Sequence, residues 1–320
     1  VVTGIFKKSQ ESFTGSVSTI TEKELKSFRG RNLLSTLKNI DPTFNIIENN
    51  VYGADPNHLP EVQIRGTSSL PTVEDLKNET KVDLNTPLII LDGFEISLTR
   101  MLDLNDEDIS SVTLLKDGSA TAIYGSRGAN GVIVIETKQN ESGDLRVTYT
   151  GSVTLEVPDL TSYNLTNAAQ KLQLEKEFGL YEPTDMNGED VSGKELYMSK
   201  YKAVYAGVNT DWLAKPLHMG TGQKHSLSIE LGGRDLRVMT TFSYNHIVGV
   251  MKGSTRDTYD GSLQVSYRHK KFNFRNILNV TSNVANDSPY GTFSEYAAMN
   301  PYYSPYDKNG FLVKNAALSV

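Results

Sequence analysis

The stretch 117–138, DGSATAIYGSRGANGVIVIETK, sets three glycines (Gly125, Gly128 and Gly131) at G-x-x-G-x-x-G spacing. A glycine-rich turn cradles phosphate when a strand precedes it and a helix follows, and a nucleotide P-loop adds Gly-Lys-Ser/Thr. Here the apolar run VIVIET follows the glycines, and the lysine is missing. The stretch reads instead as a corner of a fold. Ser119–Ile123 forms a short helical turn, and Gly125 stops it in the left-handed region. Asn130-Gly131 then supplies a hairpin-type turn before a strand.

Other chemistry is equally poorly supplied. The histidines, at 58, 218, 225, 246 and 269, include no pair at metal-ligand spacing such as H-E-x-x-H. His246 reads as a structural residue on the outward face of a strand. There is no cysteine, which excludes thiolate zinc sites, disulfides and thiol nucleophiles. Glu22/Glu24 and Asp106/Asp108 sit where helices start and are not acid/base dyads. No serine lies in a nucleophile elbow. The expectation is a protein that is not an enzyme and uses no metal or other cofactor. Lys and Arg total 32 and Asp and Glu 38, so the net charge is 32 − 38 = −6. That balance argues against a nucleic-acid partner, which needs clustered basic surface. The basic runs RGR (29–31) and RHKK (268–271) read as solvated turns.

The elements around these residues fall into two halves. Residues 1–143 have the grammar of a small α+β domain. Thr21-Glu22-Lys23-Glu24 fits a capping box. Leu33, Leu34, Leu37 and Ile40 follow helical spacing, and Pro42 ends that helix. EVQIRG (61–66), LIIL (88–91), Val112–Leu115 and Val132–Thr137 read as strands. Asn105 caps another short helix, with Asp106, Glu107 and Asp108 in its first turn.

Residues 144–320 alternate with period two. Strands are expected at Arg146–Val157, His225–Leu231, Arg237–Gly249, Tyr259–Arg268 and Phe272–Val284, each with one apolar and one polar or small face. Tight turns at 232–236 and 268–272 alternate with long connections at 158–223, 250–257 and beyond 286. Such turn asymmetry, on strands of about ten residues with an apolar outer face, marks a transmembrane β-barrel. A soluble β-sandwich also alternates. Five strands leave open edges that lipid cannot satisfy, so the barrel is expected to continue beyond Val320. The fold class is thus an α+β domain at 1–143 followed at 144–320 by antiparallel strands of an incomplete barrel.

The same residues carry a family resemblance. SVSTITEKEL (16–25), NLLSTLKNIDPTFNI (32–46), VQIRGTSSL (62–70), LIILDG (88–93) and LNDEDISSVTLLKDGSATAIYGSRGANGVIVIETK (104–138) resemble, in order, the plug of SusC/RagA-type TonB-dependent outer-membrane transporters. NTDWL (209–213), HSLSIELGG (225–233) and NPYYSPYDKNG (300–310) resemble that family's early barrel. Departures are Gly118 where alanine is usual, Ile5-Phe6 after the opening VVTG, and a longer segment at 67–86.

The resemblance implies a bacterial outer-membrane importer with a plug inside a barrel of about 22 strands. It takes up a glycan or an oligopeptide. A SusD-like surface lipoprotein covers the outward mouth, and TonB, driven by the inner-membrane proton gradient, pulls before the plug. Val1, Val2 and Thr3 are then candidates for TonB contact, as an extended segment that can add to a partner sheet. Tyr52, Asp55, Asn57 and His58, with Thr67, Ser68 and Ser69, are ligand-contact candidates at the plug's outward end. Arg65 and Arg127 are candidates for a plug–barrel lock, with a salt bridge inside the plug to Asp117 or Asp92 as the other reading. Tyr290, Tyr296, Tyr302, Tyr303 and Tyr306 suit either sugar stacking or packing. The competing classes are a soluble carbohydrate-binding or adhesin β-protein and a secreted hydrolase.

Overall fold

The computed structural model describes residues 16–28, 33–47, 55–58, 61–64, 86–138, 143–182, 192–233, 235–307 and 309–313. The N-terminal unit is built on a five-stranded sheet. Its strands are β1 (Val17–Thr21), β4 (Leu88–Leu91), β5 (Phe94–Ile96), β6 (Ile109–Leu115) and β7 (Val132–Thr137), in the order β1-β6-β7-β4-β5. Only the β4–β7 pair is parallel. A separate hairpin pairs β2 (Phe44–Ile47) with β3 (Glu61–Ile64).

Helix α1 (Glu22–Ser27) starts at the expected capping box. Thr21 Oγ1 accepts from Glu24 N, and the Glu24 carboxylate accepts from Thr21 N at 2.8 Å. Helix α2 (Leu33–Ile40) turns Leu33, Leu34 and Leu37 onto Ile20, Phe44, Val112, Leu114, Ile133 and Ile135 to form the main core. Lys116 Nζ reaches the buried Asp41 carboxylate at 2.7 Å. Burial alone would raise the Asp41 pKa, but Lys116 and the Thr43 donors outweigh it and hold it at about 2.

The glycine corner differs from its sequence reading. Helix α4 (Gly118–Thr121) runs into a 3₁₀ turn, Ala122–Gly128. Gly125 has φ +59°, as required, but its ψ of −145° lies outside the left-handed helical region. The glycine therefore kinks the turn without ending it. Gly131, at φ +93°, leads into β7, and a Cβ there would lie 3.3 Å from Ile64 and from the Leu115 carbonyl. The close approach explains the glycine without any phosphate.

The second unit is a meander of five long antiparallel strands. These are β8 (Gly143–Glu156), β9 (Gly220–Gly232), β10 (Leu236–Val248), β11 (Thr255–His269) and β12 (Phe272–Asn286), in the order β12-β11-β10-β9-β8. β9 and β11 run past both ends of their expected ranges, β8 past the start and β12 past the end, into mostly polar or small residues, while β10 keeps its expected 13 residues. The alternation has the expected sense. Val147, Tyr149, Phe242, Leu278 and Val280 face away from the N-terminal unit, and Phe242 is 57% exposed. No second sheet covers them among the described residues, unlike in a sandwich.

From the Leu236–Tyr267 row to the His246–Asp257 row is ten residues, roughly 33 Å along a strand. At a barrel tilt of about 40° this is roughly 25 Å along the axis, the height of an outer-membrane apolar band. Aromatic rings mark both ends. Tyr267 and Phe272 lie 6.2 Å apart near the short turns, and Tyr244 and Tyr259 lie 5.0 Å apart toward the long connections. His246 is outward-facing, and its Nδ1 lies 2.8 Å from Asp257 Oδ1. Among the described residues no helix is long and apolar enough to cross a membrane.

The long connections hold structure that the alternation did not foretell. Helices α5 (Ala168–Glu177) and α6 (Ser192–Tyr205) lie between β8 and β9, and α7 (Phe293–Ala297) follows β12.

Candidate functional site

The inward face of the long-stranded sheet meets the N-terminal unit chiefly through residues 97–109. Ser97 Oγ accepts from Arg100 N and starts α3 (Leu98–Leu102). Asn105 Oδ1 accepts from Glu107 N, so the helix expected after Asn105 forms as a single 3₁₀ turn, Asp106–Asp108. Two short caps in succession thus present Arg100, Asp103, Asn105, Asp106 and Asp108 to the wall.

Each finds a partner there. Arg256 of β11 donates from Nη2 to both Asp103 oxygens (2.8 and 2.9 Å) and from Nε to Oδ1 (3.2 Å). Asn283 of β12 donates to Asp103 Oδ2 at 2.7 Å. Arg100 Nη1 lies 3.0 Å from Asp260 Oδ1 and also contacts Thr281. Lys224 of β9 pairs with Asp106, and Asn105 Nδ2 donates to Ser226 Oγ at 3.0 Å. Gln264, with its amide turned to suit its neighbours, donates to the Lys138 carbonyl at 3.0 Å and accepts from Arg275. A cavity of about 30 Å³ remains between Arg100, Asp108, Asp260 and Gln264, room for about one or two waters.

Asp108 is the exception in charge. Burial is the largest influence on it, and nearby Asp260 adds repulsion. Together these outweigh the hydrogen bonds from Thr241 and Asn105 and push its carboxyl up to about 6.

Beside Arg256, at the rim toward the long connections, the N-terminal unit makes a second contact. Asp55 Oδ1 accepts from Asn57 N at 2.9 Å, forming a tight turn. Asn57 Nδ2 then reaches the carbonyls of Thr255 (3.3 Å) and Asn286 (2.9 Å) and Asp287 Oδ1 (3.0 Å). Its own Oδ1 is buried without a partner. His58 is exposed beside this turn. Asp55, Asn57 and His58 are therefore together, with Asn57 tied to the wall.

Arg127 makes no ion pair with the five described wall strands. It pairs with Glu95 of β5, and 62% and 46% of the two side chains are exposed. This is an ion pair within the N-terminal unit, the second of the two readings, with Glu95 as the acid. Val1, Val2, Thr3, Tyr52, Arg65, Thr67, Ser68 and Ser69 lie outside the described residues. The residues that do bridge the two units were missed because their pairings join positions more than 100 apart. One signal was available. Arg256, Thr258 and Asp260 recur with period two on the side of β11 opposite its apolar residues, and charge in that phase needs a partner inside.

The long connections form a lobe of their own. Leu213, Met251 and Phe293 share a small core with Leu160, Tyr163 and Leu217. Tyr302, fully buried, donates to Glu175 of α5 at 2.9 and 3.1 Å. Glu175 also accepts from Tyr181 and lies 3.5 Å from Lys200 Nζ. Burial alone would raise the Glu175 pKa, but the two hydroxyls and Lys200 outweigh it and leave it lowered. Burial and the same carboxylate raise both tyrosines. So Tyr302 packs, while Tyr296 and Tyr303 stay partly exposed. Among the described residues no cluster of three or more acids and histidines is gathered as metal ligands.

A family model for the TonB-dependent receptor plug domain matches residues 9–132. The TonB-dependent receptor SusC of Bacteroides thetaiotaomicron is 29% identical over 285 residues, which cover 85% of this chain and 25% of that protein. The TonB-dependent receptor P3 of Formosa agariphila is 30% identical over 258 residues, covering 80% and 22%. The solved RagAB peptide transporter superimposes with a TM-score of 0.69 at 22% identity, over 93% of this chain and 35% of the solved one. That likeness is one of fold. The chain spans about a quarter of the length of the curated relatives it matches. A plug-type domain seated through polar contacts on a wall whose far face is apolar agrees with these matches: residues 9–132 match the TonB-dependent receptor plug domain, and the chain is similar over most of its length to TonB-dependent receptors of SusC/RagA type.

Proposed function

We propose that this chain forms the plug and adjoining wall of an active importer that carries an oligosaccharide or oligopeptide across the bacterial outer membrane. The supporting observation is how the plug is attached. Its contacts with the wall are charged and polar, from Asp103, Asp106, Arg100 and Asn105, whereas its own interior is held by apolar packing. An interface of this kind can part and re-form, because water can take over each partner once the plug shifts. An apolar interface would expose hydrophobic surface instead.

In this reading the short turns at 233–235 and 270–271 face the periplasm and the long connections face outward, as in bacterial barrels. TonB engages the extended Val1-Val2-Thr3 segment by strand addition. A SusD-like lipoprotein covers the lobe. Asp55 and His58 offer polar contacts to cargo at the outward end of the plug, and Asn57 positions them.

The test is accumulation of labelled oligosaccharide and oligopeptide by cells making the full-length transporter. Uptake should stop with a protonophore, without TonB, and in Val2→Pro, which removes a backbone donor. Uptake indifferent to both energy and TonB would refute the proposal.

A further inference from the structure

Two outward connections of the wall enclose a cavity of about 340 Å³, lined on one side by residues between Leu160 and Leu213 and on the other by Tyr296–Pro301. The two sides are tied together. Trp212 Nε1 donates to the Asn300 carbonyl at 2.9 Å, Thr210 N to Pro301 O at 2.8 Å, and Thr210 Oγ1 to Tyr303 O at 2.8 Å. The Glu175–Tyr302 bonds cross the same seam. The cavity is thus preformed, and its volume is at the lower end of the roughly 300–1,000 Å³ typical of small-molecule sites.

Its lining is of two kinds. Tyr163, Trp212 and Tyr296 contribute rings, and the Trp212 and Tyr296 centroids lie 6.5 Å apart at 44°. Asn167 and Asn209 contribute amides whose oxygens are occupied by Gln170 N and Ala168 N at the start of α5. Their NH₂ groups remain as donors. Asp211 and Lys171 add one charge of each sign.

A purely apolar ligand would leave the amides without partners when water is expelled, at a cost. A strongly anionic or cationic ligand would meet the opposing charges of Asp211 and Lys171 together. A neutral sugar satisfies both kinds of lining: its C–H faces lie on the rings, and its hydroxyls accept from the amides and donate to the carboxylate. We infer that this cavity is a saccharide subsite on the outward face of the wall, with room for about one or two rings of a neutral oligosaccharide. The inference rests on the importer reading and selects its glycan branch.

The experiment is calorimetric titration of the purified full-length transporter in detergent with maltose, cellobiose, laminaribiose and xylobiose, and with trialanine as the peptide probe. At least one disaccharide should bind saturably and trialanine should not. Tyr296→Ala, which removes a ring, and Ala298→Trp, which fills the cavity, should each weaken that binding at least tenfold at unchanged melting temperature. Lys171→Gln, at an exposed rim position, serves as the milder variant if either larger change lowers the melting temperature. Failure of all four sugars to bind, equal affinity in the variants, or competition by trialanine would overturn the subsite. Energy-dependent uptake in cells is read separately, so the importer reading can survive that failure.

Discussion

Arg256 of the wall and Asp103 of the plug form a three-bond ion pair across the interface, at 2.8, 2.9 and 3.2 Å, with 9% and 4% of their side chains exposed. Removing one partner strands a buried charge, which typically costs about 3–5 kcal/mol. Arg256→Ala should therefore loosen the plug, seen as faster limited proteolysis of residues 97–109 in the full-length protein. The double change Arg256→Met with Asp103→Leu should recover most of the loss. Equal protease resistance in Arg256→Ala and the parent would show that the pair does not hold the plug.

Asp108 makes a pH-dependent contribution of opposite sign to that of Asp41. The Asp108 pKa is about 6 in the fold against roughly 4 in an unfolded chain, so the folded state holds its proton more tightly. Its ionisation cost is absent below about pH 4, grows between 4 and 6, and is complete above 6. Two units correspond to on the order of 3 kcal/mol. Asp108→Asn should raise thermal stability at pH 7 and flatten the slope between pH 4 and 6. Asp41, held at about 2, stabilises above pH 4 and loses that contribution as the pH falls toward 2. A pH 4–6 slope unchanged in Asp108→Asn would disprove the assignment.

Glu175 organises the outward lobe. Glu175→Gln removes the charge that faces buried Lys200 and weakens the acceptor for two buried tyrosines. The expected loss is about 1–3 kcal/mol, read as faster amide hydrogen exchange in α5 and α6. Exchange in β10 and β11 should stay as it was. If protection in the two helices is undiminished, the cluster is not what holds the lobe.

Phe242 lies mid-band on the outer face of β10. An arginine there should cost about 2–4 kcal/mol in a bilayer, measured by unfolding the full-length protein from lipid vesicles. The inward neighbour Ser243→Arg should cost much less, because that side faces water. Equal costs at the two positions would contradict the assignment of lipid and water sides.

Much of this architecture could be read in the residues themselves. The period-two faces of β8–β12 showed because every second side chain must meet lipid. The capping box at Thr21 and the turn at Asn105 showed because their chemistry is local. Strand ends were shortened where Arg256, Asp257 or Asn286 replaced apolar residues. α5 and α6 went unseen because their apolar stripes are weak and pack only in the lobe. The contacts of Arg100 and Asp103 went unforeseen for a related reason. An arginine declares its charge in sequence, but whether Glu95, Asp103 or Asp260 lies within reach depends on how a plug and a wall far apart in sequence are docked.

Gly249, at the outward rim of β10, carries a mechanical consequence. A methyl group there would come within 2.6 Å of the Pro56 ring and would also strike Ser254. Pro56 belongs to the turn that Asn57 pins to three acceptors on the wall. The rim and the plug therefore meet with backbone against ring and no side chain between them. Gly249→Ala would act as a wedge at this rim, pressing on the turn that Asn57 pins. The Arg256–Asp103 pair lies beside it, because Arg256 is registered against Ile247, two residues along β10. One carbon atom at the rim would thus strain the turn and the neighbouring ion pair together.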